Sequence, residues 1–200
     1  MEELLRGHYY HIYTDDTPQT KLFKDSSDFV AFIHRAGLLK KQHNLELLAY
    51  CLLPNHYHFI IGADLGEAPG TIKGKGKMHP ISNFLYMLHY YYSEHYKNKY
   101  KVDNDILGED FHAVLIDNTE HIKLATCYIH FHPERSGLVK DAKDWKFSSL
   151  KIFLNNFDQG EDPLIDQHFF YEEDEYERYF KDYLFNKQEK EEAISYLLNT

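Results

Sequence analysis

Histidine and tyrosine are the residues in this chain whose types and spacing suggest chemistry. Two His-x-His pairs occur, His56/His58 and His130/His132. With 14 histidines in 200 residues, about one such pair arises by chance, so the context of each pair has to discriminate. The run His56-Tyr57-His58-Phe59-Ile60-Ile61-Gly62 alternates as a strand does, so its two imidazoles leave the same face. Same-face imidazoles suit a shared cation; the spacing is equally met by two solvated or hydrogen-bonded strand histidines. His130 and His132 lie in a helical run and diverge by roughly 200° about its axis, so they do not face one metal together. His132 shares a face instead with Tyr128, four residues earlier. A phenol and an imidazole placed that way could approach one phosphate. Among 17 tyrosines, packing is the plainer use of such a residue.

These side chains need elements to hold them. Residues 8–13 are aromatic and β-prone, and they end at the turn-type cluster Thr14-Asp15-Asp16-Thr17-Pro18. Asp25-Ser26-Ser27-Asp28 offers N-caps to a helix with apolar positions Phe29, Phe32, Ile33, Ala36 and Leu39. Residues 45–53 read as a buried strand, broken by Pro54-Asn55, with residues 56–62 as its antiparallel partner. A Gly-rich loop over 63–80 leads into an aromatic helix over about 81–100, with Phe84, Leu85, Leu88, Tyr91 and Tyr92 on its apolar faces. A strand at 112–116 follows, then a helix capped at Asn118 or Thr119 that runs to about residue 131 and stops at Pro133, with Ser136-Gly137 closing the segment. The order β-α-β-β-α-β plus a helix predicts an α+β fold, a ferredoxin-like (RRM-like) split βαβ sandwich with an antiparallel sheet. Residues 172–185 and 189–198 read as helices of an accessory segment.

Composition bounds the remaining choices. Hydrophobic residues make up 43% and charged residues 27%, as in globular domains rather than disordered or fibrous chains. No window approaches the roughly 18 uninterrupted apolar residues of a membrane span. The opening Met1-Glu2-Glu3-Leu4-Leu5-Arg6 lacks the apolar core and cleavage site of a secretory signal. The two cysteines, Cys51 and Cys127, sit in apolar runs without metal-type spacing, so a reduced, cytoplasmic protein is expected. The net charge of −10 is unevenly spread: residues 158–200 hold 13 acids and 4 bases, leaving the first 157 residues near neutral. An acidic chain argues against nucleic acid, but that argument bears on the tail and only weakly on the body.

Taken together, the motifs resemble those of the single-tyrosine transposases that carry the HUH signature. Leu52-Leu53-Pro54-Asn55-His56-Tyr57-His58-Phe59-Ile60-Ile61 is similar to the signature itself, a Pro-Asn-His-hydrophobic-His run entering a strand. Tyr128-Ile129-His130-Phe131-His132-Pro133-Glu134-Arg135-Ser136-Gly137-Leu138-Val139 resembles the catalytic-tyrosine helix, typically Tyr-Ile-His-x-Asn-Pro-x-x-Ala-Gly-Leu-Val. Asp144-Trp145-Lys146-Phe147-Ser148-Ser149 resembles the Trp-x-x-Ser-Ser element that follows it, and Gly7-His8-Tyr9-Tyr10-His11-Ile12-Tyr13 fits the opening. Order and spacing are those of the REP-associated branch, over about residues 7–154. The resemblance implies a catalytic domain over 1–154 and an acidic helical extension over 155–200. It implies Tyr128 as a nucleophile that attacks single-stranded DNA and leaves a 5′-phosphotyrosine and a free 3′-OH. His56 and His58 would hold a divalent cation, with the residue four after the tyrosine, His132, as third ligand. The implied partner is single-stranded DNA containing a hairpin, with no membrane; monomer and homodimer both stay open.

The chemistry is coherent. A phenol, with a pKa near 10, is a weak nucleophile that needs activation or a polarised target. A cation on the phosphate supplies charge stabilisation, and a covalent intermediate conserves the phosphodiester for rejoining. Two departures stand out. His132 occupies a position where the family shows Asn, and three imidazoles suit Mn²⁺, Zn²⁺ or Ni²⁺ better than Mg²⁺. Asp110 stands where relatives carry a cation, at the expense of a phosphate contact. Lys73, Lys75 and Lys77, in a Gly-rich loop, and Arg135 are candidate nucleic-acid contacts; a solvated loop is the alternative for the lysines. Tyr90, Tyr91, Tyr92 and Tyr96 could stack on bases, though helical spacing favours core packing. The acidic tail could mimic DNA or cover a groove, and a solvated amphipathic surface is the simpler reading. Beside the strand transferase stand a domesticated relative that binds structured nucleic acid without cutting it, and a metal-binding interaction protein.

Overall fold

Strands whose residues alternate between two environments can be covered on both faces, and here all but one edge strand largely are. The computed structural model describes residues 4–5, 7–16, 21–63, 78–108, 110–154, 164–165 and 175–198. Its strands are β1 (Tyr9–Tyr13), β2 (Leu45–Leu52), β3 (Tyr57–Ala63) and β4 (His112–Ile116). They form one sheet in the order β2-β3-β1-β4, with every neighbouring pair antiparallel. The helices are α1 (Ser26–Gln42), α2 (Pro80–Tyr100), α3 (Thr119–Arg135), α4 (Leu150–Leu154), α5 (Glu175–Phe185) and α6 (Lys187–Leu198). The β-α-β-β-α-β order and this strand order are the ferredoxin-like α+β sandwich that the sequence predicts.

The two faces divide by residue parity. Tyr10 and Ile12 of β1, with Tyr57, Phe59 and Ile61 of β3, join Phe32, Phe84, Leu88 and Tyr92 in the core beneath α1 and α2. Ile60 of β3, Ile116 of β4 and Ala49 and Cys51 of β2 face the other way, into a second core with α3 and the helices after it. β2 changes parity partway. Leu47 pairs with Ile61 and Ala49 with Ile60, so Leu48 is an extra residue, a bulge that turns Tyr50 and Leu52 to the α1/α2 side. Cys51 and Cys127 are free thiols buried in the second core. No helix among the described residues is long and apolar enough to cross a membrane.

Two expectations are corrected. Tyr91, placed with Tyr92 on the apolar face, is exposed and carries Arg35 over its ring at 4.4 Å; the buried row of α2 runs through Phe84, Leu85, Leu88, His89, Tyr92 and Tyr96. The helix expected to stop at Pro133 runs on to Arg135. Proline removes one N–H from the ladder, but in the last turn that is a small loss. The end closes instead with Leu138 N–H donating to Pro133 O and Gly137 N–H to Glu134 O, both at 2.9 Å. Gly137 takes φ of 70°, the left-handed turn that glycine adopts without a Cβ clash. The two extra residues keep Arg135 on the same helical face as Tyr128 and His132.

α1 and α2 are locked at one end by a buried carboxylate. Asp25 caps α1 and forms a capping box with Asp28. Asp28, 0% exposed, accepts hydrogen bonds from Lys24 N at 2.8 Å, Lys99 Nζ at 2.7 Å and the Tyr100 hydroxyl at 2.7 Å. Burial alone would raise this carboxyl, and the bonds from Lys99, Tyr100 and the backbone outweigh it, so it titrates below its ordinary value. A depressed folded-state value means a contribution to stability that is present above the unfolded-state value, near 3.9, and lost as pH falls through the folded one. Asp28→Asn is expected to cost about 2 kcal/mol at pH 7. Melting curves between pH 7 and 2 should show the gap to the unaltered protein closing only at the acid end.

Candidate active site

Three parts of the chain converge on the face of the sheet turned to α3. β3 brings His58, and the turn before it brings His56, held where Leu53 N–H donates to His56 O at 2.9 Å. α3 brings His132 from one turn beyond Tyr128. The His56 and His58 ring centroids are 5.0 Å apart, those of His56 and His132 4.9 Å, and those of His58 and His132 4.8 Å. One ring nitrogen from each lies within 4.8 Å of the other two, close enough that the three could hold one ion. Tyr128 borders this cluster, its ring 6.0 Å from that of His132 and 6.4 Å from that of His58. From α3's last turn Arg135 Nη2 donates to the Tyr128 hydroxyl at 2.8 Å and reaches His132 Nδ1 at 3.3 Å, with its guanidinium 4.3 Å from the centre of the Tyr128 ring.

Each imidazole has a partner that orients it. His56 Nδ1 lies 3.0 Å from Asn55 Oδ1, and Asn55 Nδ2 donates to Asp16. An amide oxygen only accepts, so the His56 proton is on Nδ1 and the Nε2 lone pair is free for other use. His58 Nδ1 lies 3.0 Å from His11 Nε2 of β1. His58 Nε2 is buried with no hydrogen-bond partner, a polar atom that a bound cation would satisfy. Burial pushes His56 below the ordinary imidazole value and His58 well below it. His132 is pushed down to about 2 by burial first, then by Arg135 and the neighbouring rings. The cluster is therefore a set of uncharged donors, which is the form that ligates a metal. An all-imidazole set fits a transition metal such as Mn²⁺ or Zn²⁺, and lacks the carboxylates that hold Mg²⁺.

The helix phase expected for the second His-x-His pair holds. His130 points away from the site and is fully buried, its Nε2 2.7 Å from Ser149 Oγ and its Nδ1 2.5 Å from the Tyr176 hydroxyl on α5. Ser149 in turn takes a bond from Tyr50 N–H and donates to Tyr50 O, at 2.9 and 3.2 Å. The segment from Trp145 to Ser149 thereby runs along β2, with Trp145 Nε1 donating to Leu52 O at 2.8 Å. Lys73, Lys75 and Lys77 lie outside the described residues. Arg135 sits against the tyrosine hydroxyl itself. Tyr92 and Tyr96 are buried while Tyr90 and Tyr91 are exposed, and Asp110 is exposed. His11 and Asn55 were not singled out by sequence. Strand alternation puts His11 on one face with Tyr9 and Tyr13, but not which element covers that face.

The class defined by this geometry is an α+β sandwich with a buried three-histidine cluster on the sheet and a tyrosine facing it from a helix. The fold is similar to that of a solved REP-associated tyrosine transposase bound to a REP hairpin. The two chains are 19% identical, the match covers 84% of this chain and 95% of that one, and the TM-score is 0.60. At that identity the likeness establishes the fold. No family model and no curated protein matches the sequence.

His130 anchors the far side of the helix that carries the site, so its loss should appear in stability. His130→Ala leaves a cavity and removes one hydrogen bond each from Ser149 and the Tyr176 hydroxyl, an expected cost of about 3 kcal/mol in denaturant unfolding. A double-mutant cycle with Tyr176→Phe should return a coupling of about 1 kcal/mol; additive losses would show that the two side chains are independent.

Proposed function

We propose that this protein is a metal-dependent transferase of single-stranded DNA, of the HUH single-tyrosine type and closest to the REP-associated branch. The observation that carries the reading is the convergence of His56, His58 and His132 beside the hydroxyl of Tyr128. Tyr128 is the nucleophile. Its oxygen bonds to a backbone phosphorus as the bond to the 3′ oxygen breaks, giving a 5′-phosphotyrosine and a 3′-OH that carries the transferred proton. One ester replaces another, so the step reverses when a second 3′-OH attacks, and strands are rejoined rather than hydrolysed. His56, His58 and His132 hold the cation, which when bound supplies positive charge to the phosphate oxygens. Arg135 supplies a fixed positive charge at the attacking oxygen, where negative charge develops as the proton leaves, and α3 fixes its alignment.

The catalytic unit in this reading is residues 1–154, and 155–200 form an acidic helical extension. A hairpin-bearing single strand is the substrate, with Lys73, Lys75 and Lys77 as further backbone contacts. The neighbouring structure, solved with a REP hairpin, supports this substrate class. The second reading, a binder that does not cut, draws on His132 in place of an amide ligand and on the engagement of the Tyr128 hydroxyl by Arg135.

Incubation with a pool of hairpin-bearing single-stranded DNAs and Mn²⁺ or Mg²⁺ should give a covalent adduct on a denaturing gel. Tyr128→Phe should abolish it, and His56→Ala should reduce it by about 100-fold or more. DNA binding without an adduct under either metal would replace this reading with the non-cutting one.

A further inference from the structure

β1 runs through the middle of the sheet, between β3 and β4, and His11 sits at its centre on the face turned to α3. Its partners directly across are the aliphatic Ile60 and Val114, and its side chain is 0% exposed. An aliphatic residue would fill such a position without desolvating a polar ring. The imidazole instead makes one specific contact: Nε2 lies 3.0 Å from His58 Nδ1, with the two rings nearly parallel at 11°. Tyr13 stacks on His11 at 4.9 Å and Tyr128 meets it edge-on at 6.4 Å, so the ring is held in place from both sides.

The contact can be made with either tautomer of His58, and only one of them leaves a lone pair for a cation. A neutral imidazole has one N–H and one acceptor nitrogen. With the proton on Nδ1 donated to His11, the Nε2 lone pair of His58 opens toward His56 and His132. With the proton on Nε2 the site is closed to a cation. Either arrangement leaves one buried N–H without a partner, His11 Nδ1 in the first and His58 Nε2 in the second, and a cation taken up at Nε2 selects the first. His11 achieves this without bringing a net charge to the strand centre, as a carboxylate in the same place would.

We infer that His11 is a positioning residue that holds the His58 ring in the tautomer and orientation presenting Nε2 to the cation. This rests on the metal site of the proposed function, and it assigns to the opening strand a part in metal binding. Outer partners of ligating histidines are typically worth 10–100-fold in metal affinity.

The test is calorimetric titration of the full chain with Mn²⁺, and the visible spectrum of the Co²⁺-loaded protein, for the unaltered protein and for His11→Leu, His11→Gln and His11→Asn. Leu fills the space without a polar atom, Gln reaches the place of Nε2, and Asn is too short. Affinity is expected to fall 10–100-fold for Leu and Asn and to be largely recovered by Gln. The Co²⁺ bands should shift in Leu and Asn alone. Melting of the metal-free proteins separates this from a general loss of packing; if Leu fails to fold, Gln against Asn decides. Equal affinity in all four proteins, or equal losses in Gln and Asn, would overturn the role of His11 while leaving the metal site standing. An unaltered protein that takes up neither Mn²⁺ nor Co²⁺ would overturn both.

Discussion

Where a sheet is covered on both faces water is excluded from its strands, so a polar side chain placed there must find a protein partner or a ligand. That constraint organises this molecule. His11, His56, His58 and His132 are all buried between the sheet and α3. One ring nitrogen of each is engaged, by Asn55, by Arg135 or by its neighbour imidazole, and His58 Nε2 and His11 Nδ1 are buried without a partner. Desolvation keeps the rings uncharged, and so ready to donate lone pairs. The same exclusion of water strengthens whatever electrostatic contact a phosphate would make there.

α3 serves two faces at once. Tyr128, His132 and Arg135, at spacings of four and three, look toward the sheet's histidines. His130 looks the other way and is tied through Ser149 to the backbone of Tyr50 on β2. The helix cannot rotate about its axis without breaking one set or the other, which fixes the tyrosine relative to the histidine cluster. The short extension past Pro133 matters for the same reason, since it places Arg135 against the hydroxyl.

The acidic C-terminal segment is more than a solvated appendage. Tyr176, Phe180 and Tyr183 of α5 and Ile194 of α6 are buried in the core that α3 shares with the sheet. Tyr176 receives His130, and Glu191 lies 4.0 Å from Arg135. The charge is carried on the outer faces of these helices, while their aromatic stripe completes the packing behind the site.

Local periodicity was enough to read part of the site. A period of two puts His56 and His58 on one face, and a spacing of four puts Tyr128 and His132 on another, because both patterns follow from backbone geometry within a single element. The separation of His130 from His132 was legible for the same reason, as was the sandwich, from the order of its elements. What the sequence did not disclose depends on contacts between distant parts of the chain. Which face of β1 meets α3, and so the pairing of His11 with His58 across 47 positions, follows from strand order and register. The helix runs on through Pro133 for a local reason, the loss of only a single N–H in its last turn; the bulge at Leu48, like that pairing, is set by contacts between strands. Tertiary structure alone could decide the pairing and the bulge, since the free energy that settles them comes from burial and pairing with partners that no local pattern names.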